Sequence, residues 1–311
     1  MSAIRVLETH KDSPSGLRFA EREAPQPSFG EVLIQVEYIS PNFGESNRAN
    51  KRVTDDGVVL GWDAAGTVIA TGPVAPRQQS IPVGTRVVTR GLDGGWAEQR
   101  VARIADTSIV PDSVDLAVAA TLPTAGGTAL GALQRGTLLG RTVLVTGASG
   151  GVGRFAVQLA RLGGARVIAQ VGSEASKAGL AELGADLIVT DLDDVHEGVD
   201  HVVESVGGPW LVKAFALLRQ GGQLQSLGWA SGVPATFDPL GTVGPTTRVI
   251  QGFLSSENDY GPLVDPLLQL IADGKLTVDI NWQDSWEKYD ESIQILLGRQ
   301  LRGKAVWEVR S

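Results

Sequence analysis

Apolar and polar residues alternate through Val32, Ile34, Val36 and Tyr38, the period-two signature of a half-buried strand. Short apolar runs follow in GTVIATG and GTRVVTRG, each bracketed by glycine, and read as further strands. Helix signals are scarce before residue 115. From about residue 125 the rhythm changes. The run RTVLVT, Arg141 to Thr146, predicts a buried strand that opens into the glycine-rich stretch Gly147 to Gly153. Behind it Val152, Phe155, Ala156 and Leu159 recur at helical spacing. Gly163 and Gly164 stop that helix, and ARVIAQV supplies the next strand. A second helix is predicted to run to Leu183, with Ser173 as its N-cap and Gly184 past its end. ADLIV, HVVESV and QLQSLG continue the strand series, with a helical segment between Pro209 and Leu218. Strands alternating with helices in this way predict right-handed βαβ units and a parallel sheet.

TRVIQGF reads as the last strand of that series. A helix from Pro262 to Asp273 follows, and another starts near Ser285 with Trp286, Tyr289, Ile293, Leu296 and Leu297 on one side. Tyr289 on that stripe is assigned to the core. KAVWEV is a final strand without a helical neighbour and fits the all-β part better than the parallel sheet. The pattern therefore predicts an α/β chain in which a discontinuous β domain, residues 1–117 completed by 277–311, wraps a nucleotide-binding insert, residues 118–276.

Composition narrows the function. With 42% hydrophobic and 20% charged residues in 311, the chain can bury a core. A net charge of -8 argues against nucleic acid as a partner, since phosphate neutralisation needs a basic face. Zero cysteines exclude disulfides, thiolate nucleophiles and cysteine-based metal sites. The three histidines, His10, His196 and His201, do not stand at short ligand spacing, so no metal site is expected. The start of the chain carries Arg5, Glu8, Lys11 and Asp12 instead of an apolar signal core, and no run approaches the about 18 apolar residues of a membrane span. A cytoplasmic protein without membrane contact is the expectation.

The glycine-rich turn carries the most specific chemistry. Set against G-x-G-x-x-G, Ala148 takes the first place, Gly150 the second and Gly153 the third. Gly150 lets backbone approach a pyrophosphate, and Gly153 allows close helix–strand packing. The N-terminal N–H groups of the next helix, from Ser149, Gly150, Gly151 and Val152, then point at the phosphates. A ligand-free tight turn is the plain alternative. An NAD site places an acidic residue about 20 residues past the glycines, at the tip of the second strand. Here that tip reads Gln170-Val171-Gly172-Ser173. Ser173 can donate to a 2′-phosphate and Lys177 can neutralise it, although Glu174 stands nearby and Lys177 could be an ordinary surface lysine. NADPH is expected rather than NADH. The T-G-x-x-x-G-x-G pattern of short-chain dehydrogenases also fits Thr146 to Gly153. However, the three tyrosines are followed four residues on by Asn42, Val264 and Ile293, so the required Tyr-x-x-x-Lys pair is missing.

The motif order resembles the medium-chain dehydrogenase/reductase superfamily, and within it the zinc-free quinone oxidoreductase branch that includes zeta-crystallin. The markers are NFGE at 42–45, GWDAAG at 61–66, GTRVV, GGWAEQ, TAGGTAL around Thr128, ASGGVG, ESVGG at 204–208, GGQLQSLG and the closing GKAVWEV. The resemblance covers essentially the whole chain. It implies a GroES-like β domain plus a Rossmann doubly wound parallel-sheet domain, and a homodimer. Zinc members of the superfamily use a cysteine in the place of Asn42 and the histidine of a G-H-E motif. Here Asn42 and Gly61-Trp62-Asp63 stand there, so no zinc is expected, and Trp62 either walls or fills the vacated position.

The resemblance puts Asn42 and Thr128 beside the nicotinamide and its ribose. It sets Gly172, Ser173 and Lys177 at the adenosine phosphate, and Val206 of the ESVGG marker among the coenzyme residues. Leu227, Gly228 and Trp229, with Gly252, Phe253 and Leu254, would line the nicotinamide through backbone groups. Two positions depart from the pattern. Asp191 replaces a ring residue and would repel a 2′-phosphate, and Asn47 replaces an aromatic at the substrate mouth.

The expected activity is NADPH-dependent hydride transfer to a quinone or to the C=C bond of an α,β-unsaturated carbonyl. Hydride transfer of this kind leaves negative charge on the acceptor oxygen, which needs hydrogen-bond donors. Asn42 either supplies an amide N–H or stabilises a turn after Pro41. Tyr260 either protonates the product or sits in a polar loop with Asp259 and Gly261. Solvent is the other proton source. The alternative function is an NADPH-binding protein with a structural or regulatory role and little catalysis.

Overall fold

The computed structural model describes residues 3–75, 80–238, 247–252 and 261–309. The chain divides into two compact units, Met1–Gly127 with Asn258–Ser311, and Thr128–Glu257. In the first unit β1 (Ala3–Thr9) and β2 (Leu17–Glu23) pair antiparallel. β3 (Glu31–Ser40) follows, with Val32, Ile34 and Val36 buried as their alternation predicts, whereas Tyr38 is half-buried and Leu33, on the opposite face, is buried as well. Then comes α1 (Phe43–Asn50), which the hydrophobic pattern did not predict. Its mean hydropathy is low and its first turn is fixed by polar groups: the Glu45 carboxylate accepts from the Asn42 N–H at 2.9 Å, one half of a capping box. β4 (Asp63–Thr71), β5 (Arg86–Arg90), β6 (Gln99–Arg103) and β7 (Thr107–Ile109) complete the strands of this stretch. α2 (Leu116–Ala120), capped by Asp115, runs into a single π turn at Leu122–Gly126 and then α3 (Gly127–Leu133).

The second unit alternates β8 (Thr142–Val145), α4 (Gly151–Leu162), β9 (Arg166–Gln170), β10 (Leu187–Val189), β11 (Val199–Glu204), α5 (Pro209–Ala216), β12 (Leu218–Ser226) and β13 (Val249–Gly252). All six strands are parallel, in the order β10-β9-β8-β11-β12-β13. Numbered within the unit this is 3-2-1-4-5-6, the doubly wound order whose ligand crevice opens beyond the carboxyl ends of its first and fourth strands, here β8 and β11. Leu144, Ile168, Val202 and Leu224 from four neighbouring strands form its core with Leu211 of α5. The helix predicted from Ser173 to Leu183 is not there. A short 3-10 turn covers Glu174–Lys177, and the chain then turns away because Gly179 takes φ +77. The Ser173 hydroxyl contacts Ser176 Oγ at 2.9 Å instead of capping a helix.

Returning to the first unit, the chain forms α6 (Gly261–Ala272), β14 (Ile280–Ser285), a 3-10 turn at Trp286–Lys288, α7 (Tyr289–Leu297) and β15 (Lys304–Glu308). β14 was not predicted: INWQDS is mostly polar and only half-buried. β15 joins the all-β part, antiparallel to β3, in the sheet order β14-β15-β3-β4-β5-β7, with β6 also on β3. Trp96, Trp286 and Trp307 are fully buried at the centre of this unit with Leu7, Leu17, Ile39 and Leu60. Tyr289 packs on that cluster, 6.4 Å from the Trp307 ring, and its hydroxyl donates to the Leu17 carbonyl at 3.3 Å. Among the described residues, no helix is long and apolar enough to cross a membrane.

Candidate active site

In the second unit, β8 ends at Val145 and α4 begins at Gly151, so the turn between them sits at the crevice mouth. Gly147 takes φ +61, and a Cβ there would lie 2.8 Å from Ser205 Oγ. At Gly153 a Cβ would come within 2.4 Å of the Gly147 carbonyl oxygen and 2.6 Å of Ala148 Cα, which is the close helix–strand packing expected of the third motif position. At Gly150 it would meet, among the described residues, only the Gly147 oxygen, at 3.4 Å, so the outer face of the turn is open among them. Gly150 is the N-cap of α4 and offers no side-chain cap. The leading N–H groups of the helix are thus left for a ligand, at the positive end of its dipole.

Two buried side chains hold this turn, and the sequence reading singled out neither as part of the site. Gln170, 2% exposed at the tip of β9, accepts from the Gly147 N–H at 3.2 Å through its amide oxygen. Its amide nitrogen donates to the Val171 carbonyl at 2.8 Å and the Thr190 carbonyl at 3.5 Å. One side chain thereby joins the glycine-rich turn to the tips of β9 and β10. On the other flank Glu204, fully buried at the end of β11, accepts from the N–H groups of Val206 and Gly207, both at 2.8 Å, and from Thr146 Oγ1 at 3.1 Å. Burial pushes its carboxyl above the usual range. A carboxylate inside the apolar run HVVESV was the available signal.

The first unit builds a second polar cluster around Asn42. The Asn42 amide donates to Asp63 Oδ2 at 2.9 Å, to Glu45 Oε1 at 3.2 Å and to the Ser40 carbonyl at 3.3 Å. Its oxygen accepts from Lys304 Nζ at 2.7 Å. Asp63 also accepts from Thr124, from the hydroxyl at 2.6 Å and the N–H at 3.2 Å, and the π turn is what aims both donors at it. Asn42, Glu45, Asp63, Thr124 and Lys304 are all buried. Burial, reinforced by the Asp63 charge, pushes the Glu45 carboxyl up to about 8, and its Oε2 has no hydrogen-bond partner among the described residues. Burial also lowers the Lys304 ammonium from its ordinary range, against the pull of Asp63 and Glu45. Arg100, likewise buried, is held at about 10 by the same cause and donates to the Trp62 carbonyl at 2.8 Å. The Trp62 indole lies against Gly44, where a Cβ would collide with it.

The remaining predicted residues fall as follows. Ser149, Gly150, Gly151 and Val152 are half-buried at the turn, and Thr128 is buried near the start of α3. Gly172 and Ser173 are exposed beyond β9, with nothing among the described residues within 4 Å of a Cβ on Gly172. Lys177 pairs with Glu174 at 2.9 Å. Val206, Leu227 and Gly228 stand half-buried around Glu204, whose carbonyl accepts from the Leu227 N–H at 2.7 Å. Trp229 is 72% exposed and Gly252 is exposed at the end of β13. Phe253, Leu254 and Tyr260 lie outside the described residues.

Comparison with known proteins matches this arrangement. A family model described as zinc-binding dehydrogenase covers residues 151–269. The chain is 31% identical to prostaglandin reductase-3 of Bos taurus over 83% of its length and 73% of the relative. It is 26% identical to acryloyl-coenzyme A reductase of Metallosphaera sedula over 98% of the chain and 99% of the relative. Among solved structures, a mycobacterial quinone oxidoreductase superposes with TM-score 0.87 at 28% identity, covering 99% of this chain and 100% of that one. A mycobacterial protein complexed with NADPH superposes with TM-score 0.86 at 29% identity, covering 98% and 100%. The six-stranded parallel sheet, the β unit and these likenesses together give the GroES-like plus Rossmann fold, and the chain belongs to the quinone oxidoreductase branch of the medium-chain dehydrogenase/reductase superfamily.

Proposed function

We propose that this chain is an NADPH-dependent, zinc-independent oxidoreductase that reduces a quinone or the C=C bond of an α,β-unsaturated carbonyl. The observation that carries the reading is the uncapped start of α4 at the crevice of a 3-2-1-4-5-6 sheet, with an open face at Gly150. NADPH, when bound, supplies the hydride. On this reading nucleotide binding resides in residues 118–276, while 1–117 and 277–311 shape the substrate end.

The N–H groups from Ser149 to Val152 hold the pyrophosphate, and Gln170 and Glu204 keep that turn in place. Gly172, Ser173 and Lys177 take the adenosine phosphate, with Lys177 exchanging Glu174 for it. Thr128, Val206, Leu227, Gly228, Trp229, Gly252, Phe253 and Leu254 remain the coenzyme residues carried over by family resemblance. Asn42 keeps its place at the nicotinamide, with its amide oriented by Asp63 and Lys304. Because its amide hydrogens are engaged within the protein, the oxyanion and the proton are left to Tyr260 or solvent.

The family model's name implies zinc, and the residues present do not suit it. Asn42 offers an amide oxygen in place of a thiolate, and that oxygen already faces an ammonium group at 2.7 Å. The reading is tested by an acceptor panel of quinones, enones and enoyl thioesters followed at the NADPH absorbance band, repeated with a chelator. Acceptor-dependent oxidation that survives chelation is expected. NADPH binding without turnover by any acceptor would instead favour the structural or regulatory role. Greater thermal protection by NADPH than by NADH is also expected, and equal protection refutes the coenzyme assignment.

A cytoplasmic homodimer completes the proposal, since turnover draws on an intracellular supply of reduced coenzyme. β13 ends the parallel sheet with all four residues exposed, including Val249 at 46% and Ile250 at 40%, and such an edge is suited to pairing with a second copy.

A further inference from the structure

We propose that Lys213 is a coenzyme-specificity residue: it holds Asp191 in an ion pair and so keeps that carboxylate from repelling the 2′-phosphate of NADPH. The inference rests on the NADPH reading above and assigns it a residue that never touches the coenzyme. Val189 at the end of β10 pairs with Gln170 at the end of β9, and the Val171 N–H donates to the Val189 carbonyl at 3.0 Å. The two strands therefore release their chains side by side at the carboxyl edge of the sheet. In a doubly wound sheet the adenosine ribose lies at the tip of the second strand, which here is β9. A 2′-phosphate at that tip is read by both loops.

Those loops are acidic. Within five residues of the strand ends Glu174, Asp191, Asp193 and Asp194 stand against Lys213 of α5 and, one turn further on, Lys177, at a place meant for a dianion. The structure divides the two lysines between two tasks. Lys177 pairs with Glu174, three residues before it on an exposed turn, and such a pair is weak and readily exchanged for phosphate. Lys213 projects from α5 and bridges two carboxylates, Asp191 Oδ1 at 2.8 Å and Asp193 Oδ2 at 2.7 Å. Its ammonium also stands 5.9 Å from the centre of the Trp210 ring. The same Asp191 oxygen accepts from the Asp193 N–H at 3.0 Å, where Asp191 caps a 3-10 turn. Asp191 is thus turned toward a cation and a backbone donor of its own loop. Lys177 is left to meet the phosphate, and Lys213 removes the repulsion that Asp191 would otherwise exert.

The test is calorimetric binding of adenosine 2′,5′-bisphosphate and of 5′-AMP to wild type, Lys213→Met, Asp191→Asn and the double variant, at low and high salt. Removing Lys213 is expected to weaken the bisphosphate about three- to tenfold, more at low salt, with 5′-AMP unchanged. Asp191→Asn alone binds the bisphosphate as well as wild type or better, and added to Lys213→Met it restores binding. The pair is at the surface, so the variants keep the wild-type melting temperature. Wild type that does not distinguish the two nucleotides overturns the NADPH reading and this proposal together. Discrimination by wild type that Lys213→Met leaves unaltered, or that the double variant fails to recover, overturns this proposal alone.

Discussion

The two units each bury a carboxylate beside the proposed chemistry, and they hold it by opposite means. Glu204 in the parallel-sheet unit is met by two backbone N–H groups and one hydroxyl, all on Oε1, while Oε2 has no partner among the described residues. Asp63 in the β unit is met by the side chains of Asn42 and Thr124 and by the Thr124 N–H, inside a cluster that also contains Lys304 and Glu45. Backbone donors are set by the turn and cost no further ordering. A side-chain cluster must place several long groups and repay the desolvation of each charge. The first arrangement leaves a turn ready for a ligand. The second keeps charge inside the protein and fixes one orientation of Asn42.

The sharpest way to break this comparison is Lys304→Met. It removes the donor to the Asn42 oxygen and one of the two buried cations near Asp63, Arg100 being the other, and is expected to lower stability by about 3 kcal/mol in chemical denaturation. A loss below 1 kcal/mol would mean that the cluster relaxes like a surface pair. Next in size is Gly153→Ala, where the added methyl meets the backbone of Gly147 and Ala148; about 1–3 kcal/mol is expected, together with loss of thermal protection by NADPH. Glu204→Gln keeps one oxygen acceptor for the neighbouring N–H groups, so about 1 kcal/mol is expected. If Glu204→Gln proves costlier than Lys304→Met, the contrast between the units is reversed.

What the sequence could disclose follows the same division. The parallel-sheet unit is built from local signals: apolar runs, helical spacing and glycines whose roles at 150 and 153 depend on neighbours a few residues away. Gly179 defeated the helix predicted to Leu183 because its positive φ shows only in the folded backbone. In the β unit α1 went unpredicted because its first turn is held by the polar pair Asn42 and Glu45 and not by an apolar stripe, and the polar β14 carried no strand period strong enough to find. Lys304 could not be connected with Asn42 by spacing, since 262 positions separate them and only the β15–β3 pairing brings their strands together. Gln170 likewise looked like a missing carboxylate at the strand tip, and its actual partners are backbone groups supplied by topology.

The smallest effect separates the units by pH. Glu45, raised from 4.5 to about 8, binds a proton in the folded state that the unfolded chain has released, so it stabilises fully below 4.5 and loses that contribution as pH rises through about 8. Glu204, also raised by burial, acts in the same direction. His201, buried in the parallel-sheet unit, is held down from 6.5 to about 4, so its contribution is complete above 6.5 and lost as pH falls through about 4. Each proton contributes at most about 1.4 kcal/mol per pH unit, and between 4.5 and 6.5 the opposing slopes offset one another. Above 6.5 the histidine is neutral in both states, and the carboxyl slope is opposed instead by the lowered Lys304 ammonium, which is taken to act mainly above pH 8. Wild-type stability is therefore expected to change little from pH 5 to 6.5 and to fall from 6.5 to 8. Glu45→Gln should remove most of that fall and expose the rise due to His201 at lower pH, while His201→Phe should let stability decline from pH 5 onward. Denaturation midpoints across this range decide the matter: if Glu45→Gln and wild type trace parallel curves, the Glu45 carboxyl is ionised in the fold and the β unit holds more buried charge than the comparison allows.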